Sequence, residues 1–394
     1  MRSVPFTYGR VTASDDFTNR SEEIALLKRN FLAGVNSILI SPRRWGKTSL
    51  LRRVTEELTL EQKDIRICHI DIFDLRNEHQ FYVALANGVL QATSSRWEEF
   101  VKDAKQFLGA LVPTITFSPD MQTGVSFGVG WEEIERNPEE ILDLAERVAE
   151  RKKIRIIVCI DEFQSLASFA DPLAFQKKLR ARWQNHRHVT YCLYGSKRHM
   201  LLEVFTDSSM PFYKFGELLY LKKIGTEEWI SFIRRRFSDT GKEISEEDAR
   251  LIAQLAENHP YYVQQLAQQS WFRTGRKCNR EIILSAREDI VGQLGLLFAN
   301  ITERFSATQM GLLRAIIAGE KQLSAQQTLL QYRLGTSANV VRVKRGLIES
   351  EVLDDSNGEL TFLDPMFHHW LEFILFHKES TNNFTNDKSE SEQL

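Results

Sequence analysis

The stretch that decides the fold reads ILISPRRWGKTSLL and occupies residues 38–51. Its apolar beginning, residues 38–40, predicts a buried strand, and an amphipathic helix is predicted to start at the Lys47-Thr48 pair. The residues between them form a tight loop that leads into the helix N-terminus. Backbone N–H groups and the positive end of the helix dipole converge there, so a polyphosphate can bind. The stretch therefore predicts a site for the phosphates of a nucleotide.

The residue types of this loop suit that chemistry. Gly46 lets the backbone approach the phosphates, Lys47 neutralises the β- and γ-phosphates, and the Thr48 hydroxyl can hold Mg²⁺. The spacing is that of a Walker A motif except at Ser41, which stands where the first glycine is expected. Because serine adopts a positive φ less readily than glycine, we expect a somewhat different or slightly strained first turn. A chance turn before a helix is the alternative, but the flanking strand and helix patterns favour the phosphate site. The predicted nucleotide-binding residues of the loop are Ser41, Pro42, Arg43, Arg44, Trp45, Gly46, Lys47, Thr48 and Ser49.

Length and charge limit the class of protein. A chain of 394 residues is expected to form two to three domains. The formal charge of -2 gives no general nucleic-acid signature. The N-terminus has no apolar signal region, and no stretch approaches the ~20 apolar residues of a membrane span, so we expect a cytoplasmic protein with no membrane contact. Cys68, Cys159 and Cys192 lie in apolar, strand-like runs, which favours reduced core thiols.

A second apolar run supplies the acidic residues that complement the loop. Residues 154–160, IRIIVCI, have the β-branched composition of a buried parallel strand and end at Asp161 and Glu162. Ligand chemistry in open α/β sheets takes place at this end of the strands. Asp161 can hold Mg²⁺ through its water shell, and Glu162 can polarise the water that attacks the γ-phosphate. Alone, such a pair is more often a solvated strand end; with Lys47 and Thr48 it predicts hydrolysis.

A third predicted strand, residues 189–194, is followed by a Gly-Ser pair that contains Ser196. If this strand lies beside that of Asp161, a polar residue at its tip can hydrogen-bond the γ-phosphate or the attacking water, and Ser196 is our candidate. A transition-state arginine is missing from these motifs. Arg198 and Arg180 are our candidates for one supplied across a subunit boundary, which would require a homo-oligomer.

In this order, the motifs resemble the AAA+/STAND division of P-loop ATPases and, within it, the archaeal-type ATPase family. The segment at residues 17–23 is similar to the F-x-G-R-x-x-E box of that family, with Asn19 in place of glycine. The resemblance covers most of residues 17–376. Its other supporting segments are PRR at 42–44, DEFQ at 161–164, YGS at 194–196, PFY at 211–213 and HPYY at 259–262.

The resemblance implies an α/β P-loop NTPase core with a parallel sheet of AAA+ type, a helical lid and a C-terminal winged-helix domain. It implies ATP and Mg²⁺ as cofactors and adds Arg20 to the nucleotide-binding residues. Phe17, just upstream of the loop, could lie against an adenine ring; an ordinary amphipathic helix is the alternative there. His259 and Pro260 occupy the position of a nucleotide-sensing residue on the lid. The alternative for these two is a helix N-terminus that only packs.

The expected domains follow the chain. Residues 1–216 are the ATPase core, which a β-hairpin insertion interrupts near 107–130, where two β-rich runs flank a polar turn. Residues 217–300 are predicted to be a helical lid and 301–377 a winged helix. The polar tail at 378–394 is expected to be disordered.

The predicted winged helix carries a mixed charge. Its third helix, residues 337–350, bears Arg342, Lys344 and Arg345 where such domains read a major groove. The following hairpin, whose turn is Asn357-Gly358, carries Asp354, Asp355 and Glu359. Between residues 304 and 376 we count seven Lys/Arg against eight Asp/Glu. Phosphates would meet the acidic wing unfavourably, so we favour a protein partner over DNA.

The sequence thus predicts a Mg²⁺-dependent ATPase with slow turnover that acts as a nucleotide-driven switch. ATP is favoured over GTP because no guanine-reading Asn-Lys-x-Asp pattern is present. Two alternatives remain open: a DNA-binding regulator that acts through the winged helix, and a nucleotide-binding scaffold with little turnover.

Overall fold

The computed structural model describes residues 4–10, 18–108, 138–356 and 359–376. The chain divides into two units, one spanning Arg20–Lys222 and the other combining Met1–Asn19 with Lys223–Leu394. Four expectations lie wholly or mostly outside the described residues: the role of Phe17, the hairpin insertion, the Asn357-Gly358 turn and the state of the tail.

The first unit is built on a sheet that has five strands within the described residues. The strands are β1 (Ser37–Ile40), β2 (Ile65–Asp71), β3 (Arg155–Asp161), β4 (Val189–Gly195) and β5 (Glu217–Tyr220). All their pairings are parallel, and their order is β2-β3-β4-β1-β5. The predicted parallel sheet is confirmed. Since β4 separates β1 from β3, its tip lies between the phosphate loop and Asp161.

The fifth strand differs from the sequence expectation, which placed helical structure from Glu217 onward. The segment Glu217–Tyr220 instead pairs with β1, and the Glu217 N–H donates to the Asn36 carbonyl. Only four residues form this edge strand, and both of its ends are exposed. Its local pattern is therefore too short to distinguish a strand from a helix start.

Helices pack around the sheet because the sequence provides apolar faces and caps for them. Helix α2, for example, buries Leu50, Leu51, Val54 and Leu58. Asp171 caps the helix that starts at Pro172, as its residue type predicts. The helices are α1 (Ser21–Leu32), α2 (Lys47–Glu61), α3 (Glu78–Thr93), α4 (Trp97–Leu108), α5 (Pro138–Leu142), α6 (Leu144–Lys152), α7 (Pro172–Trp183) and α8 (Arg198–Thr206), with a 3₁₀ helix at Phe163–Ser168.

The core of this unit lies on both faces of the sheet. Strand β4 is buried at every position, as a central parallel strand requires. Trp183 of α7 stacks on Tyr191 of β4 with ring centroids 4.2 Å apart. Burying one such aromatic side chain stabilises the fold by about 2–3 kcal/mol. The three strand cysteines are buried free thiols, as expected.

In its described residues, the second unit contains helices and one hairpin. Its elements are α9 (Thr226–Ser238), α10 (Glu246–Leu255), α11 (Pro260–Arg273), α12 (Arg280–Thr302), α13 (Ala307–Ile317), α14 (Gln326–Gln331), α15 (Ser337–Glu349), β6 (Leu353–Ser356), β7 (Glu359–Phe362), α16 (Pro365–Trp370) and a π-helical turn at Leu371–Phe376. Strands β6 and β7 are antiparallel. No helix among the described residues is both long and apolar enough to cross a membrane.

Residues near the N-terminus also belong to this second unit, although the sequence expectation assigned them to the ATPase core. Phe6 is buried against Phe232 and Phe237. The Thr7 N–H donates to the Gln264 Oε1 at 3.0 Å, and the Gln268 Nε2 donates to the Phe6 carbonyl at 2.6 Å. A segment this short has no periodic pattern, so its sequence gives no signal for the unit that it joins.

Candidate nucleotide-binding site

The loop predicted to bind phosphate connects β1 to α2. Gly46 caps α2 with φ 90 and ψ 17, and Lys47 is its first helical residue. The side chain of Lys47 is 10% exposed, so its ammonium group is held within the loop. A buried ammonium at a helix N-terminus is an anion-binding arrangement.

Of the two alternatives expected for the first turn, the structure has a different conformation rather than strain at Ser41. Arg44 and Gly46 have positive φ angles, 63° and 90°, whereas Ser41 is not among the described residues with positive φ. Ser41 is fully buried, and its hydroxyl donates to the Pro42 carbonyl at 2.9 Å. A small polar side chain is therefore accommodated at this position, and the left-handed conformation occurs at an arginine, where it costs about 1–2 kcal/mol.

At the end of β3, Asp161 lies beside Thr48. The Thr48 Oγ1 and the Asp161 Oδ2 are 3.5 Å apart, and the Glu162 N–H donates to the Asp161 Oδ1 at 2.8 Å. Burial raises the pKa of Asp161 to about 6; Lys47 opposes this rise, and the charges of Glu162 and Asp71 add to it. A carboxylate next to a hydroxyl provides oxygen ligands that suit a hard cation such as Mg²⁺.

Glu162 is held by more donors than the sequence predicted. Its Oε1 is 3.4 Å from the Lys47 Nζ. Its Oε2 accepts from the Ser196 hydroxyl at 2.9 Å, from the Ser196 N–H at 3.2 Å and from the Gln164 amide. Burial acts to raise the pKa of Glu162, but Lys47 and these hydrogen bonds outweigh it and leave the pKa below its ordinary value. The residue also adopts the left-handed conformation, with φ 53 and ψ 42.

Ser196 connects this carboxylate to the loop. It follows β4 and is 1% exposed, and the Arg43 Nε donates to its hydroxyl at 3.4 Å. The structure therefore brings together Arg43, Lys47, Thr48, Asp161, Glu162 and Ser196. Gln164 was missed as a site residue; its only sequence signal is its position two residues after Glu162.

Arg20 braces the loop through backbone contacts. The Arg20 side chain is 5% exposed. Its guanidinium donates to the Lys222 carbonyl at 2.6 Å, to the Glu23 carboxylate at 2.9 Å and to the Trp45 carbonyl at 3.3 Å. Three of its donors are thus bound to protein oxygens. Its predicted contact with nucleotide stays a prediction.

The other predicted residues are placed as follows. Pro42 and Trp45 are buried, Arg44 is exposed and Ser49 is half-buried. Arg198 is the first residue of α8. The Arg180 Nε donates to the Pro211 carbonyl, and its guanidinium lies 5.0 Å from the Phe215 ring centroid. His259 is buried at the start of α11, directly before Pro260, in the second unit. A nucleotide-sensing role for His259 and Pro260 stays a prediction.

Comparisons with known proteins agree with this geometry. A family model described as an ATPase domain predominantly from Archaea matches residues 17–266, and a winged helix domain model matches residues 296–373. No curated protein matches the chain.

Solved structures share the fold at low identity. A Walker-type ATPase of Pyrococcus abyssi is 19% identical with a TM-score of 0.63, covering 93% of this chain and 99% of that one. The ORC2 protein of Aeropyrum pernix, solved in ADPNP-ADP complexes, is 14% identical with a TM-score of 0.55, covering 95% of this chain and 99% of that one. The expected fold class, a P-loop core with further helices and a C-terminal winged helix, is confirmed.

Proposed function

The chain belongs to the family of ATPase domains found predominantly in Archaea, and from that premise we propose that it binds ATP with Mg²⁺ and hydrolyses it slowly as a switch of AAA+/STAND type. One observation carries this proposal. The phosphate-loop lysine and the acidic pair meet, with Lys47 3.4 Å from Glu162 and Thr48 3.5 Å from Asp161. A loop that binds only phosphate needs the lysine but not the two carboxylates.

Each residue of this group has a proposed role. Lys47 binds the β- and γ-phosphates, and Glu162 orients the attacking water. Ser196 senses the γ-phosphate, since its hydroxyl already contacts both Glu162 and Arg43 of the loop. The lowered pKa of Glu162 keeps the base ionised at neutral pH.

Thr48 and Asp161 would hold Mg²⁺, whose chemistry there is to neutralise phosphate charge. The raised pKa of Asp161 supports this assignment, because burial and neighbouring carboxylates disfavour its charge until a cation compensates it. Titration of ATP binding with and without Mg²⁺ tests the assignment. Thr48→Ala is expected to weaken binding only when Mg²⁺ is present.

We propose a protein partner, rather than DNA, for the winged helix. Two of the three basic side chains on α15 are already paired with acids: Lys344 lies 2.7 Å from Asp355 of the hairpin, and Arg345 lies 2.7 Å from Glu349. These pairs reduce the positive charge available to phosphates. A gel shift in increasing salt tests the alternative, and steep salt-dependent DNA binding would favour it.

The hydrolysis proposal is tested by Glu162→Gln. This variant should still bind ATP while its hydrolysis rate falls by about 100-fold or more, because the general base is lost. Lys47→Ala should instead weaken ATP binding. Glu56→Gln changes an exposed glutamate on α2 and is the matched control. If the wild type hydrolyses ATP no faster than Glu162→Gln, the protein is a nucleotide-binding scaffold.

A further inference from the structure

The carboxylate of Glu162 is held asymmetrically. Its Oε2 accepts from three donors: the Gln164 amide, the Ser196 hydroxyl and the Ser196 N–H. Its Oε1 has a single contact among the described residues, the Lys47 ammonium at 3.4 Å. The protein therefore fixes Oε2 in place. The only partner of Oε1 among the described residues is Lys47, which is also proposed to bind the phosphates.

Gln164 is itself fixed in place by its surroundings. It lies in the 3₁₀ helix Phe163–Ser168, which Phe163 anchors by stacking on Phe205 with ring centroids 5.6 Å apart. Gln164 is buried, with only 5% of its surface exposed. A Cβ added at Gly195 would collide with the Gln164 amide oxygen and approach the Glu162 Cα to 3.3 Å. The amide thus fills the space between Glu162 and the tip of β4.

The amide oxygen of Gln164 differs from its nitrogen. The Gln164 Oε1 is buried without a hydrogen bond among the residues that the structure describes. Leaving a buried acceptor unpaired costs about 1–3 kcal/mol. A leucine of similar size would avoid that cost, so the packing alone does not explain a glutamine at this position. The hydrogen bond to Glu162 does.

We propose that Gln164 is a positioning residue for hydrolysis, which holds Oε2 of Glu162 so that Oε1 faces the attacking water once Lys47 binds phosphate. This inference rests on the proposed ATPase function. In the structure, the Lys47 ammonium lies 3.4 Å from Oε1. When Lys47 turns to the phosphates, Oε1 becomes a free acceptor, while the Gln164 amide and the Ser196 N–H keep the carboxylate from rotating with it. A base misplaced by about 1 Å loses about 100-fold in rate.

Gln164→Leu tests the proposal because it removes the donor and the unpaired acceptor together and keeps the volume. We expect kcat for ATP hydrolysis to fall about 10- to 100-fold, whereas the Kd for ATP stays within about twofold because the phosphate-binding residues are unchanged. Gln176→Leu is the matched control: Gln176 is also buried, its amide oxygen is also unpaired, and it lies on α7. This control should leave kcat unchanged.

A double-mutant cycle separates positioning from a structural role. Single-turnover hydrolysis of radiolabelled ATP is measured for Glu162→Gln with and without Gln164→Leu. If Gln164 acts through Glu162, its loss has no further effect once the base is absent. An equal loss in both backgrounds would overturn the proposal, as would an unchanged or increased kcat of Gln164→Leu.

A stability measurement and a comparison of turnover rates keep the outcomes distinct. The midpoint of thermal unfolding shows whether Gln164→Leu folds. If it does not fold, Gln164→Met, which keeps the length of the side chain, replaces it in every assay. A wild type without turnover above Glu162→Gln refutes the ATPase function and this inference with it. An active wild type whose Gln164 variants match it in kcat refutes the inference alone.

Discussion

At the scale of single residues, the phosphate loop takes its positive φ angles at Arg44 and Gly46 rather than at Ser41. Ser41 deviates from the usual glycine of the motif, yet its buried hydroxyl has a partner in the Pro42 carbonyl. The deviation is therefore a different local solution, since the position does not require the conformation that glycine provides.

This geometry predicts that restoring the glycine of the motif brings no benefit. Ser41→Gly should lower the free energy of unfolding by about 1 kcal/mol, because it loses a buried hydrogen bond and makes the unfolded chain more flexible. The affinity for ATP should not increase. Urea unfolding and ATP titration measure the two effects. Ser41→Ala separates the hydrogen bond from the backbone term, and a more stable Ser41→Gly would contradict the prediction.

The contacts of Arg20 lead to a second prediction, for folding stability and ATP binding. Its guanidinium serves the Lys222 carbonyl, the Glu23 carboxylate and the Trp45 carbonyl at once. A lysine cannot reproduce this planar fork, so Arg20→Lys should cost about 1–3 kcal/mol of folding stability and weaken ATP binding through the loop. Arg29→Lys, at an exposed arginine of α1, is the control. Equal effects in the two variants would exclude a bracing role.

Local patterns explain which site residues could be predicted from the sequence. Asp161 ends a buried strand, Ser196 follows one directly, and Lys47 follows the loop at 41–46 that leaves one. The strand pattern, the loop motif and the residue type therefore suffice to find them. Gln164 and Arg20 depend on side chains that meet across the fold. The contacts of Gln164 depend on β4, which brings Ser196 beside Glu162, and those of Arg20 depend on β5, which ends near the loop. Neither set of contacts can be predicted from the local sequence.

At the scale of elements, Lys152 at the end of α6 connects α4 to the rest of the first unit. Its Nζ lies 2.6 Å from the Asp103 Oδ2, 2.9 Å from the Glu99 Oε1 and 2.7 Å from the Thr93 carbonyl. The hydrogen bond from Lys152, together with those from the Ser95 N–H and hydroxyl, lowers the pKa of Glu99 from 4.5 to about 2. Because the folded pKa lies below the unfolded one, this pair stabilises the fold above about pH 4.5, and its contribution disappears as the pH falls toward 2.

Lys152→Met should therefore destabilise the protein in a pH-dependent way. At pH 7 the loss should be about 1–3 kcal/mol, most of it from the buried Asp103, since the half-exposed Glu99 is screened by solvent. The difference from wild type should shrink below about pH 4.5. Urea unfolding at several pH values measures it. Lys102→Met, at an exposed lysine of α4, is the control, and a deficit that stays constant with pH would contradict the linkage.

Elements with a long periodic pattern were predictable, whereas short ones were not. The helix Thr226–Ser238, whose buried side chains recur at helical spacing, lies in the region predicted to be a helical lid. The four-residue strand Glu217–Tyr220 was not, because its place in the sheet is set by pairing with β1 rather than by its own residues. Phe6 is a comparable case, since its burial depends on Phe232 and Phe237.

At the scale of the whole molecule, the predicted lid and winged helix share one hydrophobic cluster within the second unit. Helix α12 provides the connection: it contacts α10 and α11, and near its C-terminal end Phe298 lies 5.3 Å from Phe367 of α16, between ring centroids. In addition, the Tyr262 hydroxyl of α11 donates to the Asp364 carboxylate, which caps α16, at 2.6 Å. The two predicted domains therefore have no separate cores.

A shared core predicts that these two parts unfold together. Phe298→Ala should cost about 3–5 kcal/mol, because Phe298 is 1% exposed and leaves a cavity. Amide hydrogen exchange, followed by mass spectrometry, should then show lost protection both in α9–α11 and in α13–α15. Phe272→Ala, at a phenylalanine of α11 that is 53% exposed, should change neither. If exchange rises only in α13–α15, the winged helix is an independent folding unit. If it rises in both, the helices of the predicted lid and the winged helix unfold as one cooperative unit.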